Sequence, residues 1–403
     1  MISLAEARRL VLEHTPSASG CERVPISAAL GRVLCRELRS DVELPPFDKA
    51  MMDGVALRAA EAAVPGAELA VTGEARAGAG FAGEVPPGAA VRIMTGAPLP
   101  AGLDAVAMIE RCELLDGGRR VRLADAARAE QNVARRGVDL QIGERVAGIG
   151  QRLRAAEIAA LATVGCALVP VFPAVRVHLI GTGDELVPLE CRPGPEQIRD
   201  TNTPTLAAQL ASSAVIARAF PPVRDDAGAL REAIEAALEG CDVLILTGGV
   251  SMGAYDLVGQ ALLAAGVREV FHKVSIKPGK PVWFGVLDRA GRRQLVFGLP
   301  GNPVSTFVTL ETLVRPALQK LGGAEPALEF PRAVLSGGHP LKRDAREQFV
   351  PARLDLRTCP PRLAPLDYQS SADLLELSRA DAFAIVPANQ APTDGAELGY
   401  LPF

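Results

Sequence analysis

Residues 243–256 read VLILTGGVSMGAYD, an apolar run that passes directly into a glycine-rich loop. Residues 175–185 (VRVHLIGTGDE) and 295–303 (LVFGLPGNP) repeat this order of a strand-like run followed by a glycine-containing loop. Runs of this length and apolarity are typical of strands buried on both faces of a parallel sheet. We therefore predict three parallel strands whose loops lie together at the carboxyl edge of one sheet, where open α/β sheets bind their ligands.

The segments around these strands predict helices in alternation with strands, and hence a doubly wound, parallel α/β domain over residues 173–325. The rest of this α/β multidomain chain is expected to form three smaller domains. These are an α+β N-terminal and linker domain (1–43 plus 141–172), a mostly β insert (44–140) and a C-terminal β-barrel-like domain (326–403).

The helices follow from apolar residues at helical spacing and from end signals. Ser3 is the expected N-cap of the first helix, Asn302 that of the last, and Pro303 suits the first turn of the latter. Helices are expected at 3–14, 155–164, 206–213, 227–239, 257–265 and 303–321.

The amino-acid composition limits the classes of function that the chain can have. The chain has 403 residues, 48% of them hydrophobic, which supports packed cores and is not typical of a disordered chain. Its net charge is −4 and it has no lysine or arginine block, so we expect neither a nucleic-acid nor a membrane partner. The seven cysteines are widely spaced and contain no CxxC pair. This argues against a disulfide framework and a structural zinc site, and it favours a cytoplasmic location.

Several catalytic classes lack their motifs. None of the four histidines lies in HExxH or beside a GxSxG serine, so neither a zincin nor a hydrolase triad is predicted. There is no P-loop, and the GxGxxG match at 78–83 leads into prolines rather than a helix. His14 and His178 are interpreted as structural. Proton transfer and metal binding are therefore left to carboxylates, whose oxygens suit Mg²⁺.

A basic turn accompanies the glycine-rich loops. Residues 276–281 (IKPGKP) place Lys277 and Lys280 on a turn stiffened by prolines. Glycine loops let backbone N–H groups approach an anion closely, and two nearby lysines add positive charge. The residues alone thus predict an anion-binding crevice for a phosphorylated or nucleotide-like ligand. The N-terminal segments 47–54, 92–98 and 132–139 are each explained as an ordinary turn or cap when taken separately.

Eight motifs in a fixed order give the crevice a family context. They are LPPFDKAMMDG (44–54), RIMTGAPLP (92–100), NVARRGVD (132–139), GTGDEL (181–186), IRDTN (198–202), LILTGGVSMGAYD (244–256), IKPGKP (276–281) and GLPGNPVS (298–305). Together they resemble the molybdopterin molybdenumtransferase family of the bacterial MoeA type, to which the gephyrin E domain is similar.

The resemblance implies the last step of molybdenum cofactor synthesis. Adenylylated molybdopterin is bound, its pyrophosphate is cleaved, AMP is released, and molybdenum from molybdate is inserted at the dithiolene, with Mg²⁺ as the cation. It also implies an elongated homodimer whose active site lies between the α/β domain of one subunit and the β insert of the other. Transient contact with the adenylyltransferase and with apo-molybdoenzymes is expected.

The resemblance assigns roles residue by residue. Glu185 and Asp256 would hold Mg²⁺ or orient water, and the two lysines of the basic turn would neutralise anionic charge. Positions matching those expected to act in catalysis are Asp53, Thr95, Asp139, Glu185, Asp256, Lys277 and Lys280. Positions expected to bind the pterin and phosphates are Gly181, Thr182, Gly183, Asp184, Thr247, Gly248, Gly249, Ser251, Pro300, Gly301, Asn302, Pro303, Ser305, Arg346 and Ser371.

The chain departs from the family pattern at a few positions. The usual FDNSAMDGYA is FDKAMMDGVA here, so Lys49, Ala50 and Val55 replace Asn, Ser and Tyr. Val138 replaces an acidic residue, and the tail has QSSA at 369–372 instead of a Gly-Ser-His sequence.

Two alternatives stay open. A molybdopterin adenylyltransferase has similar TGG loops, but as a single-domain protein it leaves residues 1–170 unexplained. A non-catalytic molybdopterin-binding scaffold or carrier is compatible with the departures around Asp53. We expect retained catalysis, because Asp53, Thr95 and both lysines are present.

Overall fold

The computed structural model describes residues 1–249, 257–289 and 291–403, in which helices and strands are numbered in chain order. The helices are α1 (Leu4–His14), α2 (Ala155–Thr163), α3 (Asn202–Leu210), α4 (Ala227–Leu238), α5 (Leu257–Ala264), α6 (Pro303–Thr309), α7 (Arg315–Leu321) and α8 (Leu374–Arg379). Short 3₁₀ turns lie at Ile26–Ala28, Ala59–Ala62, Ile109–Arg111 and Asp116–Gly118, and a π-helical turn lies at Leu310–Val314.

The strands of the first half of the chain are β1 (Glu22–Pro25), β2 (Leu38–Arg39), β3 (Lys49–Ala50), β4 (Gly54–Leu57), β5 (Glu68–Ala75), β6 (Ala89–Ile93), β7 (Ala105–Met108), β8 (Cys112–Leu115), β9 (Arg120–Leu123), β10 (Val133–Ala134), β11 (Arg145–Ala147) and β12 (Leu168–Val171). Those of the second half are β13 (Val175–Gly181), β14 (Leu186–Val187), β15 (Ile198–Arg199), β16 (Val215–Ala219), β17 (Val243–Thr247), β18 (Arg268–His272), β19 (Ile276–Lys277), β20 (Trp283–Arg289), β21 (Arg292–Leu299), β22 (Arg332–Leu335), β23 (Glu347–Asp355), β24 (Arg362–Pro365), β25 (Ala382–Val386) and β26 (Glu397–Pro402).

The chain divides into two units. Unit 1 comprises Met1–Arg36, Ile149–Ala159 and Ala167–Phe403, and unit 2 comprises Glu37–Gly148 and Ala160–Cys166. The division into four smaller domains stays a prediction.

A six-stranded sheet forms the centre of unit 1, in the order β16-β13-β17-β21-β20-β18. The first four strands are parallel, which confirms the predicted α/β class. The sheet is nevertheless not wholly parallel, because β20 and β21 form a hairpin, with Arg289 paired to Arg292, and β18 pairs antiparallel with β20. Gly181, Thr247 and Leu299 lie side by side in register, so the three predicted loops leave the sheet at one level.

Two hydrophobic clusters cover the faces of this sheet. Alternate residues of β17 show the division, since Ile245 lies in one cluster and Leu244 and Leu246 in the other. The first cluster includes α1, whose buried Leu4, Ala7 and Val11 form the predicted apolar face. The second packs α4 and α5 against the other face.

Helix ends agree with the sequence in part. Ser3 accepts the N–H of Glu6 at 3.2 Å and caps α1 as predicted. Asn302 stands at the N-cap position of α6, but its side chain makes no cap hydrogen bond. The helix α3 begins at Asn202, four residues earlier than expected, because the Asp200 carboxylate accepts the N–H of Thr203 at 3.1 Å.

The tail of unit 1 is a closed five-stranded barrel. The strands β23, β24, β22, β26 and β25 pair in this order, and β25 pairs back to β23. This confirms the barrel-like class. The short strand β19 of the basic turn adds to the barrel, since Lys277 lies opposite Gln348.

Unit 2 is mostly β, as predicted. Its main sheet has the order β7-β4-β6-β5-β9-β8, and the short pairs β3–β10 and β2–β11 accompany it. Residues of β4 alternate between two cores, with Ala56 in one and Val55 and Leu57 in the other. The sheet is therefore buried on both faces.

The cysteines depart from expectation at one pair. Cys21 and Cys35 form a disulfide, although the sequence argued against disulfide bonding. They are 14 residues apart, and the fold around β1 and β12 brings them together. His178 is structural as predicted: it is buried, with Nδ1 2.6 Å from the carbonyl oxygen of Ala237. Across the described residues, no helix has the length and apolarity needed to cross a membrane.

Candidate functional site

The three glycine-rich loops of unit 1 bind to one another through hydrogen bonds. The N–H of Thr182 donates to the carbonyl of Thr247 at 2.9 Å, and the N–H of Gly248 donates to the carbonyl of Leu299 at 3.2 Å. The Thr247 hydroxyl donates to the carbonyl of Pro300 at 3.2 Å. The predicted residues of all three loops are thus neighbours at one edge of the sheet.

Asn202 ties two of these loops together and was not singled out from the sequence. Its amide nitrogen donates to the Thr247 hydroxyl and to the carbonyl of Gly301, both at 2.7 Å. Asn202 is only 9% exposed, so these bonds are shielded from water. The signal that could have found it is its place at the end of the IRDTN motif, where it is the first residue of helix α3.

Close packing explains the paired glycines of the middle loop. Gly248 has a φ of +93°, and a Cβ atom there would overlap the carbonyl oxygen of Thr182. Gly249 has a φ of +64°, and a Cβ atom there would meet Val258 at 2.5 Å. Only glycine fits both the backbone conformation and the space. Ser251 and Asp256, which were expected to act with this loop, lie outside the described residues.

A cavity of about 500 Å³ lies where the basic turn and α6 meet the tail barrel. It collects six of the predicted site residues from four separate stretches of the chain. These are Lys277, Lys280, Asn302, Ser305, Arg346 and Ser371. The sequence could not indicate that the tail residues join the lysines, because the two groups are far apart in the chain.

A shared carboxylate organises the cations of this cavity. Asp344 accepts the Lys277 ammonium at 3.0 Å and the Arg346 Nε at 3.2 Å. Hydrogen bonds from Arg346 and then from Lys277 hold the pKa of this carboxyl well below its usual range. Asp344 is therefore ionised and holds the two cations side by side. Lys280, on the same turn, is exposed.

The polar end of α6 is tied to the tail. The Asn302 amide donates to the Ser371 hydroxyl at 2.7 Å, and the N–H of Val304 donates to the carbonyl of Ser371 at 3.1 Å. Asn302 therefore positions Ser371 instead of capping its own helix. Pro303 begins α6, and Ser305 is buried two residues further on.

Carboxylates gather at the end of β13. The N–H of Asp225 donates to the carboxylate of Asp184 at 3.2 Å. Partial burial, and then the negative charges of Asp184 and Glu185, raise the pKa of Asp225. Asp225 was not predicted from sequence, and its place after β16 in the RDD triplet is the only signal. Within the described residues, no three His, Cys, Asp or Glu side chains are grouped as metal ligands.

In unit 2, Asp53 and Thr95 form a pair. The backbone N–H and the hydroxyl of Thr95 both donate to one carboxylate oxygen of Asp53 at 2.7 Å. These two bonds, the backbone one first, lower the pKa of Asp53. Both residues are exposed, so the ionised carboxylate faces solvent.

The three N-terminal motifs converge around this pair. Ala50 pairs with Val133, and the N–H of Ala50 donates to the carbonyl of Ala97 at 3.0 Å. Asp48 accepts the N–H of Arg136 at 2.8 Å and also binds the Arg135 guanidinium. These bonds lower the pKa of Asp48.

Asp139 lies at the end of the arginine loop, exposed, with its N–H bonded to the carbonyl of Leu44 at 2.9 Å. The motifs explained separately as turns are thus one connected surface that includes the predicted Asp53 and Thr95.

Comparisons with known proteins match three consecutive parts of the chain. Family profiles match in order: "MoeA N-terminal region (domain I and II)" at residues 2–165, "Probable molybdopterin binding domain" at 178–320, and "MoeA C-terminal region (domain IV)" at 334–403.

Individual relatives cover most of the chain. A protein of Haemophilus influenzae named molybdopterin molybdenumtransferase is 36% identical over 80% of this chain and 78% of its own length. A Bacillus subtilis protein of the same name is 32% identical over 99% of this chain and 92% of its own. Among solved structures, a molybdopterin biosynthesis moeA protein from Pyrococcus horikoshii OT3 has a TM-score of 0.83 at 28% identity, with both chains fully covered.

Proposed function

Because the chain belongs to the molybdopterin molybdenumtransferase family, and is thus a transferase of molybdenum cofactor biosynthesis, we propose that it carries out the final step of that pathway. In this step the pyrophosphate of adenylylated molybdopterin is cleaved, AMP is released, and molybdenum from molybdate enters the dithiolene. The observation that carries the proposal is the cavity of unit 1, in which Lys277, Lys280 and Arg346 surround one volume of about 500 Å³.

The cavity suits an oxyanion. Arginine and lysine neutralise oxyanion charge through charge-assisted hydrogen bonds, and the Ser371 hydroxyl adds a neutral donor. Asp344 orients Lys277 and Arg346 before any ligand arrives, which reduces the reorganisation needed on binding. Molybdate and the phosphates of the substrate are oxyanions of the kind that such a group binds.

The interlocked loops suit the rest of the substrate. The N–H of Gly248 is already bonded to the carbonyl of Leu299, but both glycines leave the backbone of the loop without side chains that would keep a ligand away. Backbone N–H groups in glycine-rich loops bind phosphates. Asn202 fixes the spacing between the middle loop and Gly301. We assign the pterin and its phosphates to this edge of the sheet.

The carboxylates around Glu185 offer the oxygen ligands that Mg²⁺ prefers. Partial burial, and then the negative charges of Asp184 and Glu185, raise the pKa of Asp225, and a divalent cation bound there would neutralise part of this negative charge. Glu185 would supply oxygen ligands, with Asp256 as the second proposed ligand. Bound there, Mg²⁺ would stabilise the charge that develops as the pyrophosphate is cleaved.

Unit 2 carries a separate group of residues that were predicted to act in catalysis. The exposed, ionised Asp53 is held by Thr95 in one orientation, as a group that acts on a ligand must be. We propose that Asp53, Thr95 and Asp139 act in the site of a partner subunit of a homodimer. Transient contact with the adenylyltransferase and with apo-molybdoenzymes, and a cytoplasmic location, stay predictions.

The two alternatives differ in support. The adenylyltransferase would leave unexplained the matches at residues 2–165 and 334–403. The scaffold or carrier predicts tight binding of the adenylylated pterin without turnover.

The experiment measures AMP release from adenylylated molybdopterin, with and without molybdate and Mg²⁺. Wild type should release AMP only with molybdate, and Asp53→Ala and Lys277→Ala should lose most of this release. Asp125→Ala is the matched control, since Asp125 is also an exposed carboxylate of unit 2 held by one partner, Arg111. Tight pterin binding without AMP under any metal would reject the transferase proposal in favour of the scaffold.

A further inference from the structure

The cavity of unit 1 that contains Lys277, Lys280 and Arg346 is called the oxyanion cavity below. Part of its wall is formed by other residues, to which the proposed function assigns no role. Four oxygen atoms, each with the ~30 Å³ that a water molecule occupies in the liquid, fill roughly 120 Å³. The cavity is about 500 Å³, so a tetrahedral oxyanion leaves most of it for other contacts. The remaining wall comes from the tail and includes His339, Lys342 and Tyr368.

His339 is held in place at this wall. Gly337 and Gly338 precede it with φ values of +69° and +87°, and a Cβ atom on Gly338 would lie 2.5 Å from the carbonyl oxygen of Pro365. The N–H of His339 donates to the same carbonyl at 2.8 Å. The backbone therefore fixes the position from which the imidazole reaches the cavity.

A carboxylate orients the imidazole. Nδ1 of His339 lies 3.4 Å from Oδ1 of Asp367, which in turn accepts the amide of Gln369 at 2.9 Å. With Nδ1 facing Asp367, Nε2 is the nitrogen left for a ligand. In a neutral ring with its proton on Nδ1, Nε2 only accepts hydrogen bonds and opposes an oxyanion, whereas in the imidazolium it donates one.

We propose that His339 is a substrate-contacting residue of the oxyanion cavity, and that its protonation, with Asp367 as the orienting partner, makes oxyanion binding tighter at lower pH. The proposal rests on the proposed function, since it assigns the oxyanion to this cavity.

Other charged groups around the cavity do not mask the effect. The other cationic side chains that line the cavity are lysines and an arginine, which are residue types that ordinarily keep their charge from about pH 6 to about pH 8. Burial raises the pKa of Tyr368 and keeps the phenol neutral, and the pKa of Asp344 lies far below this range. Among side-chain types, imidazole is the one whose charge ordinarily changes within this interval, which is why the test compares these two pH values.

The test is calorimetric binding of molybdate alone to the full chain at about pH 6 and about pH 8. Because hydrogen bonds to charged groups are worth more than neutral ones, wild type should bind about tenfold more tightly at the lower pH. His339→Ala and His339→Gln should remove this difference and keep the affinity measured at the higher pH. Asp367→Asn should reduce the difference. His14→Gln is the matched control, since His14 lies on α1, and it should behave as wild type.

The outcomes separate this inference from the proposed function. If Lys277→Ala weakens molybdate binding but His339→Gln keeps the full pH difference, the inference is wrong and the oxyanion cavity stands. If Lys277→Ala binds as wild type, or wild type binds no molybdate, both are rejected. The comparison of variant with wild type cancels any pH dependence of molybdate itself.

Discussion

Replacing Asn202 with alanine should lower the free energy of unfolding of the α/β sheet by about 2 kcal/mol, because it breaks two shielded hydrogen bonds. The bonds are those to the Thr247 hydroxyl and the Gly301 carbonyl, each 2.7 Å long. Each contributes about 1–1.5 kcal/mol, and the carbonyl left without its donor adds to the loss. The amide oxygen of Asn202 is buried and has no hydrogen-bond partner among the described residues, so its removal offsets part of this loss.

Urea unfolding followed by tryptophan fluorescence measures the effect. The chain has a single tryptophan, Trp283, which is 1% exposed within β20 and so reports on this sheet. Asn202→Asp should cost more than Asn202→Ala, because a carboxylate cannot donate to the Gly301 carbonyl and is buried beside it. Gln390→Ala, which removes an exposed amide from the tail, is the control and should leave stability unchanged.

A double-mutant cycle with Thr247→Val isolates the bond between the two side chains. The coupling energy should be about 1 kcal/mol, as expected for residues in direct contact. A loss below about 0.5 kcal/mol in Asn202→Ala, or a coupling energy of zero, would refute the conclusion that Asn202 joins the loops. In the proposed reaction the same variant should weaken binding of adenylylated molybdopterin, since the loop spacing is no longer fixed.

Three further predictions concern single positions. Gly248→Ala should lower the free energy of unfolding by clearly more than Gly66→Ala. Both glycines have a left-handed backbone, but only a Cβ atom at Gly248 would overlap a neighbouring carbonyl. Equal losses of stability in urea unfolding would contradict this prediction. Thr95→Val should raise the pKa of Asp53 toward its ordinary value, since a hydroxyl donor is lost, and an unchanged value in an NMR titration of the carboxyl would count against the pair. The pKa of Asp344 is lowered in the folded protein, so ionised Asp344 stabilises the fold. This stabilisation is complete above the pKa that the carboxyl has in the unfolded chain, near ~4, and is lost as the pH falls through its pKa in the folded protein. The stability difference between wild type and Asp344→Asn should therefore be constant from about pH 7 to about pH 5 and shrink below about pH 4, and a difference that grows on acidification would reverse the assigned sign.

Local signals in the sequence predicted the sheet and the meeting of its loops. Parallel strands place their carboxyl ends at one edge of the sheet. The loops after β13, β17 and β21 could therefore be predicted to lie together before any contact between them was known. The same reasoning erred at β20, because a strand-like run does not reveal its direction. The direction of β20 follows from its antiparallel pairing with β21, which extends from Trp283 and Gly298 to Arg289 and Arg292.

Contacts between distant segments were beyond sequence reasoning. Asp344 lies 67 residues from Lys277, and Ser371 lies 69 residues from Asn302, yet each pair is hydrogen-bonded. Nothing in the local pattern marks Asp344, because its role comes from the barrel that brings it to the basic turn. The family resemblance supplied Arg346 and Ser371, but not the carboxylate that orients Arg346.

The departures from the family pattern around Asp53 matter most for the choice between enzyme and scaffold. Two of them lie in hydrophobic cores: Val55 is fully buried and Ala50 is 1% exposed, and they belong to clusters on opposite faces of the sheet. Replacements there change packing rather than the chemistry of an exposed surface. Lys49 is half-buried on β3 and is the one departure of the three with a polar group near the surface.

The exposed chemistry beside these positions is intact. Asp53 keeps both hydrogen bonds from Thr95, although two exposed residues gain little stability from such a pair. A scaffold needs only the packing that Ala50 and Val55 provide, and has no use for an oriented carboxylate in solvent. The oriented Asp53 therefore favours the enzyme, and Lys49→Asn should leave molybdate-dependent AMP release intact.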